Sequence, residues 1–140
     1  MNEYLYQEIA VGQEEGFSKE ITVEMENLFR NMTDDRNPLH WDDAFAKDVG
    51  NFDSHVSFGM LSASLLSTLA GVYLPGKYSL IHSIDNISFR KPVFAGDLLY
   101  ISGTVTDKQD GLNLILVKVK VTNQHNKTVL TADMKILVKK

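Results

Sequence analysis

The sequence predicts an α+β domain in which an antiparallel β-sheet wraps around one central hydrophobic helix. Residues 58–74 carry no charged side chain, so a helix formed there is apolar or small all round and must be covered on most faces. Residues 78–138 alternate apolar and polar positions between turn signals, as strands with one dry and one wet face do. Upstream, Met25, Leu28, Phe29 and Met32 recur at the spacing of one helix face.

Taken in order, residues 1–16 are polar with scattered aromatics and read as an entry segment closed by the turn Gly12-Gln13-Glu14-Glu15-Gly16. Phe17–Val23 alternates, with Phe17, Ile21 and Val23 on one side, and Lys19 on that side suits a short edge strand. The helix carrying Met25 follows, and its apolar stripe is expected to serve packing rather than function. Trp41–Lys47 predicts a short helix with Asp42 or Asp43 at its start and Gly50 as its stop. The loop 51–57 contains His55, read as a surface residue.

The charge-free helix starts at Phe58-Gly59-Met60 and closes at Pro75-Gly76, and its small residues Ser62, Ala63, Ser67 and Ala70 let another backbone lie close. Its first turn presents unpaired backbone N–H groups and the positive end of the helix dipole. Strands are then expected over Tyr78–Phe89, interrupted at Asp85-Asn86, over Leu98–Thr106, over Ile115–Val121 and over Leu130–Val138. Turns at Pro92–Asp97, Asp110-Gly111 and Gln124–Lys127 separate them.

The chain of 140 residues is long enough to bury a core and reads as a single domain, 1–140. A net charge of −4 and the lack of a basic cluster argue against a nucleic-acid partner. With no cysteine there is no disulfide framework or thiolate chemistry, and the four scattered histidines have no metal-ligand spacing. No signal-like start and no 18-residue apolar run are found, so a cytoplasmic protein without a membrane partner is expected.

The stretch that carries chemistry is Thr33-Asp34-Asp35-Arg36-Asn37-Pro38-Leu39-His40. Pro38 prevents an ordinary helix interior, and Asn37 before it is pushed towards extended geometry. A chain turning there can bring Asp35 and His40 to one small volume. A carboxylate and an imidazole facing one site can hold a water and move protons both ways near neutral pH. The start of the charge-free helix, at Gly59-Met60, can stabilise a developing oxyanion.

Asp35-Arg36-Asn37-Pro38-Leu39-His40 resembles the D-x-N-P-x-H signature of the MaoC-like, (R)-specific enoyl-CoA hydratases. The resemblance continues through Ala44-Phe45-Ala46, Gly59-Met60-Leu61, Leu74-Pro75-Gly76, Phe89-Arg90-Lys91-Pro92-Val93 and Gly96-Asp97, in the family's order and spacing. It implies a hot-dog fold, usually paired into a homodimer. It also implies reversible hydration of a trans-2-enoyl thioester, carried by CoA or acyl carrier protein, to the (R)-3-hydroxyacyl thioester, with no cofactor beyond the substrate's own carrier. On this resemblance Asp35 and His40 are the catalytic pair and the Gly59 N–H meets the thioester oxygen. Asn37 and Pro38 shape the turn, and Asn37, Phe58, Met60 and Ser67 are assigned to the substrate's surroundings.

One departure stands out: relatives usually carry histidine where this chain has Phe58. The backbone donor at Gly59 survives that exchange, but the wall beside the thioester should be more apolar. Two other readings share the fold: a hot-dog acyl thioesterase, and a non-catalytic acyl-binding subunit. Elsewhere, His82 is expected to pack and His125 to be solvated, while Arg90, Lys91 and Lys77 are weak candidates for the phosphates of a CoA chain.

Overall fold

The computed structural model describes all residues, 1–140. Five strands form one antiparallel sheet: β1 (Glu14–Glu20), β2 (Ser79–Phe89), β3 (Leu98–Gln109), β4 (Leu114–Thr122) and β5 (Thr128–Val138). Their order across the sheet is β1-β3-β4-β5-β2, so β1 and β2 are the edges. Three helices, α1 (Val23–Thr33), α2 (Asp43–Gly50) and α3 (Gly59–Thr68), occupy the stretch between β1 and β2. No helix is long and apolar enough to cross a membrane.

The sheet folds its dry face over α3. Alternation places Leu99 and Ile101 of β3, Val117, Val119 and Val121 of β4, and Leu130, Met134 and Ile136 of β5 in the core. Leu66 and Leu69 fill the space beneath them with no exposure, each contributing about 1.5–3 kcal/mol by burial. Gly103 permits this approach, because a Cβ there would stand 2.7 Å from Val117 and 3.0 Å from Leu69. After Thr68 the helix widens into a single π turn, Leu69–Tyr73.

Several elements depart from the sequence expectation. β1 lies three residues earlier than Phe17–Val23, because Thr22 caps α1 by accepting from the Met25 N–H at 3.1 Å, which gives Val23 to the helix. Asp42 is the α2 cap, accepting from the Phe45 N–H, and the helix stops at left-handed Asn51, one residue past Gly50. Asp85-Asn86 does interrupt β2: the register with β5 shifts between Asp85 and Ser88, and Asn86 has φ 55°. Only part of the α1 stripe packs. Met25 and Phe29 turn inward, whereas Leu28 and Met32 are exposed and the buried residue of the helix is Glu26.

Candidate active site

The Asp35–His40 segment is built by side chains bonding to the backbone two residues on. The Thr33 hydroxyl donates to the Phe29 carbonyl at 2.8 Å and accepts from the Asp35 N–H at 3.3 Å. Asp35 Oδ1 accepts from the Asn37 N–H at 3.1 Å, and Asn37 Oδ1 from the Leu39 N–H at 3.1 Å. These successive turns, with Pro38 setting the first residue of a short 3₁₀ turn, carry the chain from the end of α1 to His40. Trp41 closes the loop by donating its indole N–H to the Arg36 carbonyl at 3.2 Å.

Each member of the pair has one polar atom held and one left over. Asp35 is exposed and its Oδ1 serves the turn, while Oδ2 makes no bond within the chain. The Nδ1 of His40 lies 2.8 Å from the Val56 carbonyl. A carbonyl can only accept, so Nδ1 carries the proton and Nε2 keeps a lone pair in the neutral ring. The ring also packs on Phe58, with centroids 4.2 Å apart, and Phe58 in turn on Phe29 at 4.9 Å.

Asp35 and His40 open into a cavity of about 640 Å³ walled by Phe29, Phe58, Gly59, Met60, Ser67 and the Ile81, Ile84 and Ile87 side chains of β2. The Gly59 and Met60 amides begin α3, where no preceding turn can accept from them. The Phe58 side chain at the N-cap has no acceptor either, so these donors stay available. Gly59 itself faces Phe89, whose ring would lie 2.9 Å from an added Cβ. A second cavity of about 330 Å³ shares His40 and Gly59 and is bordered by Ser57, Ser62, Arg90 and Lys91. The hydroxyls of Ser57 and Ser62 are buried without a partner.

The structure thus brings together Asp35, His40, Phe58, Gly59, Met60 and Ser67 and leaves Asn37 outside the wall, with its side chain spent on the turn. Phe29, expected to serve packing alone, lines the cavity. His82 is exposed rather than packed, and His125 is exposed in its turn. Lys77 pairs with Glu3 at 3.1 Å, so of the three candidate cations only Arg90 and Lys91 border a cavity next to His40.

His55 corrects the surface reading most sharply. Its side chain is 18% exposed, with Nε2 2.9 Å from Glu26 Oε1 and Nδ1 2.7 Å from Asp43 Oδ1. Burial pulls the ring's pKa down, but the two carboxylate bonds outweigh it and hold the pKa above the ordinary histidine value. Asp43 is held below the usual carboxylate range, first by the His55 backbone N–H and then by the ring. Nothing local announces this cluster, since its members lie 12 and 29 residues apart.

Comparison with known proteins gives a consistent picture. The family profile described as MaoC like domain matches residues 7–127. The chain is 34% identical to an (R)-specific enoyl-CoA hydratase of Aeromonas caviae over 127 residues, which is 91% of this chain and 93% of that relative. It is 30% identical to a 3-hydroxybutyryl-CoA dehydratase of Methylorubrum extorquens, covering 73% of this chain and 64% of the relative. Among solved structures, an unliganded R-hydratase from Pseudomonas aeruginosa superposes with a TM-score of 0.88 at 30% identity, covering 96% of this chain and 84% of that one.

Proposed function

This chain belongs to the MaoC-like domain family, and from that premise we propose that Asp35, His40 and the Gly59 amide carry out (R)-specific hydration of a trans-2-enoyl thioester, and the reverse dehydration. The observation that carries the reading is that Asp35, His40 and the first residues of α3 line one apolar cavity, each with a polar atom that has no partner within the chain.

The reaction needs what these groups offer. Water oxygen bonds to C3, the C2=C3 π bond breaks, and a proton is delivered to C2. The Asp35–His40 pair takes one proton from the water and returns one to C2, so the protein ends as it began. Between these events negative charge gathers on the thioester oxygen, where the Gly59 N–H donates to it. A positioned acid or base contributes roughly 10²–10⁴ in rate, and one oxyanion donor about 10²–10³. Addition of water moves no electrons to or from an acceptor, so the mechanism calls for no cofactor.

The apolar wall of the larger cavity suits an acyl chain, and Phe58 makes it more apolar beside the reacting carbons. The carrier, whether CoA or acyl carrier protein, would meet the side bordered by Arg90 and Lys91. A homodimer in the cytoplasm is part of the same reading. It is supported by the open edge of β2, with Leu80 and Phe89 about half exposed, and by the exposed Leu28, Met32 and Met60. Light scattering at micromolar concentration should give twice the chain mass; a monomer contradicts that part.

The function itself is tested by ultraviolet absorbance with crotonyl-CoA and longer enoyl-CoAs. Loss of the conjugated thioester band with formation of the (R)-3-hydroxyacyl product supports the reading. Release of free thiol instead points to a thioesterase, and inertness on the whole series points to the non-catalytic subunit.

A further inference from the structure

Four consecutive residues tie the loop after α2 to the catalytic histidine. His55 is bonded to Glu26 of α1 and Asp43 of α2, and its backbone N–H also donates to Asp43 Oδ1 at 2.8 Å. Val56 is fixed on both sides: its N–H donates to the Leu39 carbonyl at 3.0 Å and its carbonyl accepts from His40 Nδ1 at 2.8 Å. The Ser57 N–H donates to the Val93 carbonyl at 2.7 Å, and Phe58 covers the His40 ring.

The His55 ring has no capacity left for chemistry. With both partners ionised neither can donate, so each short contact takes a ring N–H and the ring is an imidazolium, in line with its raised pKa. Glu26 is 4% exposed, its Oε2 has no partner, and neither Glu26 nor Asp43 pairs with a lysine or arginine. His55 is therefore the sole countercharge of a buried carboxylate. Such an arrangement adds little net stability, because desolvating the ions offsets their attraction, but it fixes position strictly.

We propose that Glu26, His55 and Asp43 form a clasp that positions the Val56 carbonyl, making His55 a positioning residue for the catalytic imidazole of His40. The clasp holds the loop, the loop holds Nδ1–H, and Nε2 is thereby kept as the lone pair facing the cavity. The inference rests on the assignment of His40 as a catalytic group. The clasp also sets a pH window. Above the raised His55 pKa the ring loses a proton, and one of its contacts becomes lone pair against carboxylate. Below the lowered Asp43 pKa that carboxylate is neutralised.

The test uses Asp43→Ala, whose side chain is 66% exposed and whose loss leaves the core intact. Asp43→Asn, which keeps an acceptor oxygen, is the conservative rescue and His55→Ala the direct variant. The clasp predicts that Asp43→Ala lowers kcat on crotonyl-CoA roughly tenfold, as misplacement of a catalytic group does, with KM within about twofold. Asp43→Asn should recover most of that loss.

The second readout is independent of activity: two-bond ¹H–¹⁵N spectra of the histidine rings. In the native protein His40 should be a single Nδ1–H tautomer, and its ring signals should shift again when His55 titrates. In Asp43→Ala and His55→Ala the signals should move towards a mixture of tautomers. Unchanged His40 signals in both variants overturn the proposal, even if kcat falls. If the native protein hydrates no enoyl thioester, the functional assignment fails instead, while the spectra still decide whether the clasp orients His40.

Discussion

The chain holds two aspartate–histidine pairs that differ in what the histidine has left over. His55 touches Asp43 and Glu26, and both ring nitrogens are consumed. His40 gives Nδ1 to a neutral carbonyl and keeps Nε2 free on a cavity that Asp35 also lines. On the proposed assignment the better-bonded pair is the inert one. A histidine locked between carboxylates is a fixed cation, whereas one held by a single carbonyl is oriented and still able to accept a proton. The two are joined through Val56, which follows His55 in the chain and whose carbonyl accepts from the His40 ring.

The first way to break this comparison is to remove the imidazole proposed to work in catalysis. His40→Ala should lower turnover by at least about a hundredfold with its circular dichroism spectrum unchanged. Near-native activity in that variant on a substrate the parent hydrates would show that the wrong histidine had been assigned.

The His55 pair should instead appear in stability once one partner is removed and a buried charge is left uncompensated. The folded pKa of His55 is raised, so its contribution is complete below its unfolded value of 6.5 and is lost as pH rises through the folded value. That of Asp43 is lowered, so its contribution is complete above 3.8 and is lost as pH falls through the folded value. His55→Ala should therefore cost more stability at pH 6 than at pH 9, by about 1–3 kcal/mol at the lower pH, where the variant leaves Glu26 without its countercharge. Denaturant melts of both proteins at the two pH values measure this. An equal loss at both would mean that the ring is not charged in the folded protein.

How much of this was legible in the sequence follows from the range of each interaction. The turn around Asp35 is written locally: Thr33, Asp35 and Asn37 stand two residues apart, each bonding to the backbone two residues on, with Pro38 closing the run. The charge-free stretch and the alternating strands likewise announce α3 and the sheet. The clasp was not legible, because three ionisable residues on α1, α2 and a loop meet only after the helices are packed. Phe29 was misread for a related reason: helical spacing shows that its face is apolar, but not that part of that face lines a cavity. At β1, the alternation of Phe17–Val23 ran into a helix cap, and Thr22 decided the boundary.

A smaller effect sharpens the contrast from the side of the substrate. Phe58 is 2% exposed and packs at a tilt on His40, touching the ring without a hydrogen bond. Phe58→His should alter acyl preference and shift KM a few-fold, more than it changes kcat on the best substrate, since shape and polarity act on ground and transition states alike. Steady-state kinetics across a short enoyl-CoA series checks it. A native protein inert on every member, with hydration appearing only in Phe58→His, would assign the chemistry to the missing histidine.

The central claim, that leftover capacity rather than bonding marks the working pair, is tested most directly by the same substitution at both aspartates. Asp35→Asn and Asp43→Asn each remove one negative charge, keep an acceptor oxygen and change almost no volume. Crotonyl-CoA hydration by the two variants, measured beside the native protein, should fall by at least about a hundredfold for Asp35→Asn and by less than about threefold for Asp43→Asn, whose oxygen still receives the His55 N–H groups. Equal losses, or a larger loss at Asp43, would contradict the account.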